Sequence, residues 1–307
     1  MSQVELDKDV FEIIGKDVEN AQKIVRPSLT YWSDAWRRLK ENKLAIISLI
    51  VLVLIVFMAF AGPKMRPFPY DRQDLNAINK SPDAVHWFGT DSLGRDIFVR
   101  CWEGAKVSLF IGLVSAIINV TIGIIYGGIS GYLGGYVDII MMRFVEIIYS
   151  IPELLWVILL MVVMGTGLPT IIIAISITGW GGMARLVRGQ VLQLKQMEFV
   201  LAAQTLGADT SRIIFKHLIP NAMGPIIINL TFQVPGAIFT EAFLSYIGLG
   251  IRPPLASWGS LAQDGTLMLL IHPYQLFFPA VLISITMLAF NILGDGLRDS
   301  LDPRLRK

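Results

Sequence analysis

The chain has 307 residues, of which 54% are hydrophobic and 16% charged, and its mean hydropathy is +0.60. In soluble domains about a quarter of residues are charged, so this composition predicts a polytopic membrane protein. The net charge of +2 gives no indication of a nucleic-acid partner. Cys101 is the one cysteine, which excludes an internal disulfide and a thiolate metal site.

The first 43 residues are charged and lack the apolar core of a signal peptide. We expect residues 1–43 to form a cytoplasmic tail, and the first membrane helix to act as its own insertion signal. Aromatic residues stand beside basic ones near the end of this tail, which fits either an interfacial helix at the lipid headgroups or a plain juxtamembrane linker. We take the interfacial helix as the prediction. The residues that would share one helical face are Tyr31, Trp32, Trp36 and Leu39.

Six apolar segments are long enough to cross a hydrocarbon layer of about 30 Å. Pro152 predicts a kink in the third segment, and Pro225 and Pro235 predict breaks in the fifth. The fourth segment has the shortest apolar stretch. The six predicted spans are residues 44–62, 107–133, 137–164, 170–187, 220–247 and 274–293.

The distribution of Lys and Arg residues orients these spans. With six spans both ends of the chain share one side, which carries seventeen Lys and Arg residues against eight on the other. The richer side is expected to be cytoplasmic, so both termini are predicted inside. The chain then divides into the tail 1–43, residues 44–106 with the first span and an extracytoplasmic loop, the core membrane domain 107–294, and a cytoplasmic tail, 295–307.

A mostly polar segment, residues 198–220, separates the fourth and fifth spans and is placed in the cytoplasm by this charge pattern. Good helix formers after Glu198 predict a helix, which Gly207 can end in the left-handed conformation. Asp209 and the residues after it offer side-chain oxygens that can cap a second helix. The polar segment is therefore predicted to be a helix, a tight turn and a second helix that ends or restarts at Pro220.

The chain lacks the motifs of several catalytic classes. It contains no G-x-x-x-x-G-K-[ST] phosphate loop, no H-E-x-x-H and no G-x-S-x-G, and its three histidines are scattered. We therefore expect no enzymatic activity, no metal and no cofactor in this chain. A transporter of this kind would take its energy from a partner.

Polar residues within the predicted spans are candidates for a translocation path. Asn229, Gln233 and Thr240 fall on one face of the fifth span, where they could line a pathway or form hydrogen bonds between helices. Glu241 is the one acid deep in a span that is otherwise free of charged residues, and it lies towards the outer end of the fifth span. It could be a gate, a substrate contact or a buried, hydrogen-bonded carboxyl. The remaining candidates are Ser115 and Asn119 of the second span and Ser284 and Asn291 of the sixth.

The polar segment resembles the cytoplasmic Glu-Ala-Ala loop of ABC importer membrane subunits. The resemblance rests on Ala202, Ala203 and Gly207, with Ile219-Pro220 in place of the usual Leu-Pro ending. In that family the loop forms a coupling helix that docks in a groove of the ATP-binding subunit. Leu201 stands where the family usually has Glu, and it should matter little if the small residues dock by shape. By resemblance, the residues that would couple to the ATPase are Glu198, Ala202, Ala203, Gly207, Ala208, Asp209, Thr210 and Arg212.

Three further segments are similar to the permeases of oligopeptide and dipeptide ABC importers, of the type called C subunits. They are residues 86–96, which contain Gly-Thr-Asp and Gly-Arg-Asp, residues 241–265 and residues 293–304. The resemblance covers residues 32–304. Residues 86–96 have the glycines and the acid and base pairs of a tightly hydrogen-bonded loop, and they could alternatively contact substrate or a binding protein.

This resemblance implies an all-α bundle with six spans and the type I ABC importer permease fold. It implies a non-catalytic subunit in the cell membrane that imports peptides by alternating access. The implied partners are a homologous second permease, two ATP-binding subunits and an extracytoplasmic peptide-binding protein. Permeases for nickel and other small solutes share the family, so the cargo has an alternative. A secondary carrier or a structural scaffold would need no ATP-binding partner.

Overall fold

A computed structural model describes residues 31–302 of the chain. The rest of the two predicted tails, 1–30 and 303–307, lies outside this range. Short 3₁₀ turns occur at Gly62–Met65 and Leu75–Ala77. The helices are α1 (Tyr31–Glu41), α2 (Lys43–Ala61), α3 (Ile97–Leu133), α4 (Gly135–Ser150), α5 (Glu153–Met164), α6 (Leu168–Leu194), α7 (Glu198–Thr205), α8 (Thr210–Tyr246), α9 (Trp258–Leu267) and α10 (Tyr274–Leu301).

Five of these elements are long and apolar enough to cross a membrane, namely α2 with the turn after it, α3, α6, α8 and α10. A sixth span results if α4 and α5 are counted together, because they form a pair bent by 80° at a short break. The prediction of an all-helical chain with up to six spans is thereby confirmed. α7 and α9 are too short to cross.

Several spans are longer than the sequence predicted. α3 begins at Ile97, well before the predicted start at residue 107, because the Asp96 side chain accepts a backbone hydrogen bond of 2.9 Å and caps the helix. α6 and α10 also run beyond their predicted ends, to Leu194 and Leu301. The added turns contain polar and charged residues, so hydropathy alone did not mark them.

The prolines act differently from the prediction. α4 ends at Ser150 and α5 begins at Glu153, so Ile151-Pro152 is a break between two helices and not a kink within one. Ile151 is extended (φ −95°, ψ 123°), as is usual before a proline. In contrast, α8 continues through Pro225 and Pro235, so the predicted breaks of the fifth span are wrong.

α1 is the helix that was predicted at the membrane interface. Its Tyr31 hydroxyl donates a hydrogen bond of 3.0 Å to the Leu301 carbonyl, so α1 packs on the end of α10. Leu39 is buried whereas Trp32 and Trp36 are about half exposed, so the residues of the predicted face differ in burial. Exposed tryptophan rings beside basic residues still suit the lipid headgroup zone.

α3 lies at the centre of the bundle and packs closely along α6. Gly123, Gly127 and Gly131 stand one helical turn apart and let the backbone of α6 approach. A Cβ added at Gly127 would lie 2.3 Å from the Ala184 carbonyl oxygen, so a larger residue would force the two helices apart. α3 and α6 are therefore closely packed along their length, and the polar segment follows from the end of α6.

Candidate functional site

The polar segment folds as its local chemistry predicts. Gly207 ends the first helix with φ +79°, a left-handed conformation that glycine adopts without strain. The Asp209 side chain accepts a hydrogen bond of 3.2 Å from the Arg212 backbone N–H and so caps α8. Pro220 does not end this second helix, which passes through a π-helical turn (Ile213–Leu218) and continues into the span.

The residues predicted to couple to an ATPase divide between two environments. Ala203 is 9% exposed and Ala208 is partly buried, and Ala208 packs on the cluster that contains Val200 and Ile213. Because Ala203 is buried, the predicted small-residue surface lacks it. The predicted residues that do face outwards are Glu198, Ala202, Gly207, Asp209, Thr210 and Arg212.

Large apolar side chains also face outwards from the polar segment, and they were not among the predicted coupling residues. Leu206 is 87% exposed and Leu201 is 50% exposed. Phe199 and Phe215 are likewise exposed. A contiguous patch of exposed apolar residues is a common mark of a protein interface, and four such residues within seventeen positions are candidates for one. The sequence shows these four apolar residues among polar ones, but it does not show which way each of them faces.

Two contacts join the end of α6, which leads into the polar segment, to neighbouring helices. Arg188 on α6 makes two hydrogen bonds of 2.5 Å to the Asp138 carboxylate on α4. Lys195, just after α6, donates through Nζ to the Gly131 carbonyl on α3 (3.0 Å). The end of α6 that leads into the polar segment is therefore joined to both α3 and α4.

A cavity of about 400 Å³ lies beside the central part of α3. Its walls come from α3, α6 and α8, and from the break between α4 and α5. Non-helical backbone is tolerated in a membrane-spanning region where it lines a cavity, which accounts for the break at Ile151-Pro152. The polar residues of the lining are Asn119, Tyr149, Glu153, Thr178, Gln233 and Thr240.

The cavity brings together three of the predicted path residues, Asn119, Gln233 and Thr240. Asn229 lies next to it and accepts a hydrogen bond of 2.9 Å from the Gln233 side-chain amide. The other candidates do not line this cavity. Ser115 is fully buried, and Ser284 and Asn291 are exposed on α10.

Glu241 lies in a packed network away from the cavity. Its carboxylate is fully buried and accepts hydrogen bonds from Ser108 (2.9 Å) and Ser245 (2.7 Å). The Ser108 hydroxyl in turn accepts from the Trp258 backbone N–H (3.1 Å). The carboxyl thereby joins α3, α8 and α9, which is the geometry of the buried, hydrogen-bonded alternative.

Glu153, Thr178 and Tyr149 line the cavity but were not among the predicted sites. Tyr149 is fixed by two contacts, since its hydroxyl accepts from the Gly182 N–H (2.9 Å) and its ring lies 4.6 Å from the Arg185 guanidinium. The signal for Glu153 was an acid directly after a proline within an apolar segment.

Residues 86–96 form an internally bonded loop. Asp91 accepts from the Arg95 side chain (2.6 Å) and lies 3.5 Å from Arg100. Asp264 lies 3.8 Å from Arg95, and burial raises the pKa of the Asp264 carboxyl, although the charges of Arg100 and Arg95 oppose this rise. These contacts are those of a tightly hydrogen-bonded loop, in which the charged side chains pair with one another.

Within residues 31–302, no group of three or more His, Cys, Asp or Glu side chains could hold a metal ion.

The sequence matches two known families in the regions that contain these features. The family of binding-protein-dependent transport system inner membrane components matches residues 104–307, more than half of the chain. This chain belongs to that family. The family described as the N-terminal transmembrane domain of oligopeptide transport permease C matches residues 30–82 of this permease. The polar segment and the cavity both lie within the larger match.

Similar proteins extend the comparison over nearly the whole permease. The oligopeptide transport system permease protein OppC of Bacillus subtilis is 56% identical, over 98% of this chain and 99% of that protein. The dipeptide transport system permease protein DppC of the same organism is 58% identical, over 94% and 90%. An inward-facing structure of the MetNI methionine ABC transporter is 18% identical with a TM-score of 0.53, over 65% of this chain and 94% of that chain. This last likeness concerns the fold alone, which is that of type I ABC importer permeases.

Proposed function

We propose that this permease is one of two membrane subunits of an ATP-driven importer that moves peptides into the cell by alternating access. The observation that carries the proposal is the continuity of α6 and α8, which both run between the polar segment and the walls of the cavity. A partner that displaces the polar segment would therefore move two walls of the cavity. Identity of 56% and 58% to an oligopeptide and a dipeptide permease supports peptides as cargo.

The exposed apolar side chains of the polar segment are the proposed contact with an ATP-binding subunit. The chain has no phosphate loop of its own, so a partner must supply the energy. The complete transporter would contain two ATP-binding subunits, a homologous second permease and an extracytoplasmic peptide-binding protein. It needs no cofactor and no nucleic acid. Both termini of this chain, and the polar segment, would face the cytoplasm.

In the proposed mechanism, closure of the two ATP-binding subunits moves the polar segment together with the ends of α6 and α8. The Asp138–Arg188 ion pair carries this movement to α4. The break at Ile151-Pro152 then absorbs the change of angle between α4 and α5, as a hinge does. The cavity, which lies beside this hinge, opens towards one side of the membrane and then towards the other.

The proposal is tested by isolating the complex from its native membrane through a tag on this chain. We expect two ATP-binding subunits and a second permease to be recovered. We also expect peptide-loaded binding protein to raise ATP hydrolysis. A stand-alone carrier would yield no ATP-binding subunit, and that result would reject the proposal.

A substitution at the turn tests coupling directly. Gly207→Val should separate ATP hydrolysis from peptide uptake, because a β-branched residue is strained at φ +79°. Gly189→Val is the control, since a Cβ also meets no atom within 4 Å there and its backbone is not left-handed. Equal uptake per ATP hydrolysed in the two variants would argue against a coupling role for the turn.

A further inference from the structure

The outward surface of α4 carries two kinds of side chain at the same height. Phe144 and Ile147 are 52% and 63% exposed, and they form an apolar flank. Arg143, Glu146 and Ser150 recur at intervals of three and four residues, so they form a polar flank beside it. All three are exposed. The two flanks of this one helix therefore meet different surroundings.

This part of α4 lies beside two apolar spans. The Tyr126 hydroxyl on α3 donates a hydrogen bond of 2.8 Å to the Met141 carbonyl. The Tyr149 hydroxyl accepts one of 2.9 Å from the Gly182 N–H on α6. At about 1.5 Å per residue, Tyr126 and Gly182 lie about 10 and 18 Å from the C-terminal ends of α3 and α6. Because the hydrocarbon layer is about 30 Å thick, residues 141–149 lie at its depth.

Lipid cannot cover the polar flank at this depth. Arg143 and Glu146 form an ion pair of 2.6 Å, and their side chains are 74% and 53% exposed. A charged side chain within the hydrocarbon costs about 2.5–3.5 kcal/mol, so such residues face the interior of a bundle or water. The Arg143 guanidinium makes this one hydrogen bond within residues 31–302, which leaves most of its five donors for water. Phe144 and Ile147, in contrast, suit lipid tails.

The polar flank leads directly into the cavity. Ser150 ends α4, and the next three residues, 151–153, line the cavity together with Tyr149. Arg185 on α6 is exposed at the same place, with its guanidinium 4.6 Å from the Tyr149 ring. Away from the cavity, the flank runs along α4 towards the end of the spans that carries the polar segment. Polar and charged groups therefore continue from the cavity to that end.

We propose that the polar flank of α4 lines a water-filled passage through which peptides leave the cavity for the cytoplasm. This inference rests on the proposed function, in which peptides are the cargo and the polar segment faces the cytoplasm. The second permease of that importer would form the far wall of the passage. The passage adds Arg143, Glu146 and Ser150 to the path, and none of them was among the predicted path residues.

The reactivity of introduced cysteines tests this assignment. Cys101 is the one native cysteine of the chain and is fully buried, so it gives little background. The variants are Glu146→Cys and Ser150→Cys on the polar flank, with Phe144→Cys and Ile147→Cys as matched controls on the apolar flank. Each is treated, in the complete transporter in nanodiscs, with a charged methanethiosulfonate reagent, and labelling is read from the mass of this chain. We expect the polar flank to react at least about tenfold faster, because the reactive thiolate forms in water and not in lipid.

The same variants test whether the passage carries peptides. Labelled Ser150→Cys transporter, reconstituted in proteoliposomes, should lose ATP-driven peptide uptake, because the attached group occupies the passage. The Ile147→Cys transporter, treated in the same way, should keep its uptake. Ser150→Cys nearly preserves the size of the side chain, so it serves alone if Glu146→Cys does not assemble.

Three results would overturn the inference. They are equal labelling of the two flanks, normal uptake by labelled Ser150→Cys, and no labelling at either flank. The last is expected if the second permease packs on α4 without water between them. Wild-type transporter without ATP-driven peptide uptake would reject the proposed function itself, whereas normal wild-type uptake with equal labelling of the two flanks rejects this inference alone.

Discussion

Leu206 provides a direct test of the surface proposed to meet the ATP-binding subunit. It is the most exposed large residue of the polar segment, at 87%, and follows the last residue of α7. Its side chain contributes little to the fold of this chain, so a polar substitution should change the stability of the permease by less than about 0.5 kcal/mol. Leu206→Gln is suitable because it keeps the size and adds no negative charge at a helix C-terminus.

The effect on docking should be much larger. Burying a leucine that is 87% exposed contributes about 1.5–3 kcal/mol to an interface. A glutamine in its place adds the cost of desolvating an amide, about 1–3 kcal/mol. Together these give an expected loss of about 2.5–6 kcal/mol, which corresponds to at least roughly 70-fold weaker binding of the ATP-binding subunit.

The assay is recovery of ATP-binding subunits with tagged permease, followed by titration of the purified subunits onto permease in nanodiscs. Leu270→Gln is the matched control, because Leu270 is 98% exposed but lies between α9 and α10, at the other end of the spans. We expect the control to bind as wild type does. Equal affinity of Leu206→Gln and wild type would refute the assignment of this surface.

Three further outcomes are expected. Gly236→Leu places a side chain in open space at the cavity and should abolish peptide uptake while the complex still assembles, whereas Gly189→Leu, in open space elsewhere, should keep uptake. Asp138→Asn leaves Arg188 without its bidentate partner and should destabilise the permease by about 2 kcal/mol in thermal unfolding. Burial raises the pKa of Asp264 above 3.8, so its contribution to stability is fully present below that pH and is lost as the pH rises through its folded pKa. Melting curves from pH 4 upwards should therefore show a decline that Asp264→Asn reduces, and parallel curves would contradict this.

Local chemistry predicted the polar segment well because its structure depends on neighbouring residues. The left-handed Gly207 and the capping Asp209 act over a few positions and are recognisable in sequence. Which side chains of the polar segment are exposed depends instead on the orientation of α7 about its axis. That orientation is set by Val200, which packs in a buried cluster with distant residues such as Val120 and Met183, so the outward position of Leu206 could not be read from the segment itself.

The effect of a proline within a span also depends on packing that the local sequence does not show. Pro152 and Pro235 both follow apolar helical sequence, yet one separates two helices and the other lies inside α8. Pro235 is buried, and its neighbours Val234 and Ile238 pack in a core cluster that holds the helix together. Pro152 is exposed at the edge of a cavity, where no packing opposes the break.

The polar path was predicted in part. Helical periodicity placed Gln233 and Thr240 on one face of α8, and this face does line the cavity. Periodicity cannot show which face of α10 meets the bundle, so Ser284 and Asn291 were grouped with the path although both are exposed. Glu153 was missed because its position depends on the break before it.

The central claim is that this chain forms the path through which peptides enter the cell when a partner hydrolyses ATP. The most direct measurement is uptake of labelled peptide by proteoliposomes that contain this permease, the second permease and the ATP-binding subunits, with the peptide-binding protein added outside. We expect uptake that requires enclosed ATP, is absent with ADP and is lost in Gly236→Leu. Peptide uptake by this chain alone, driven by an ion gradient without ATP, would contradict the account.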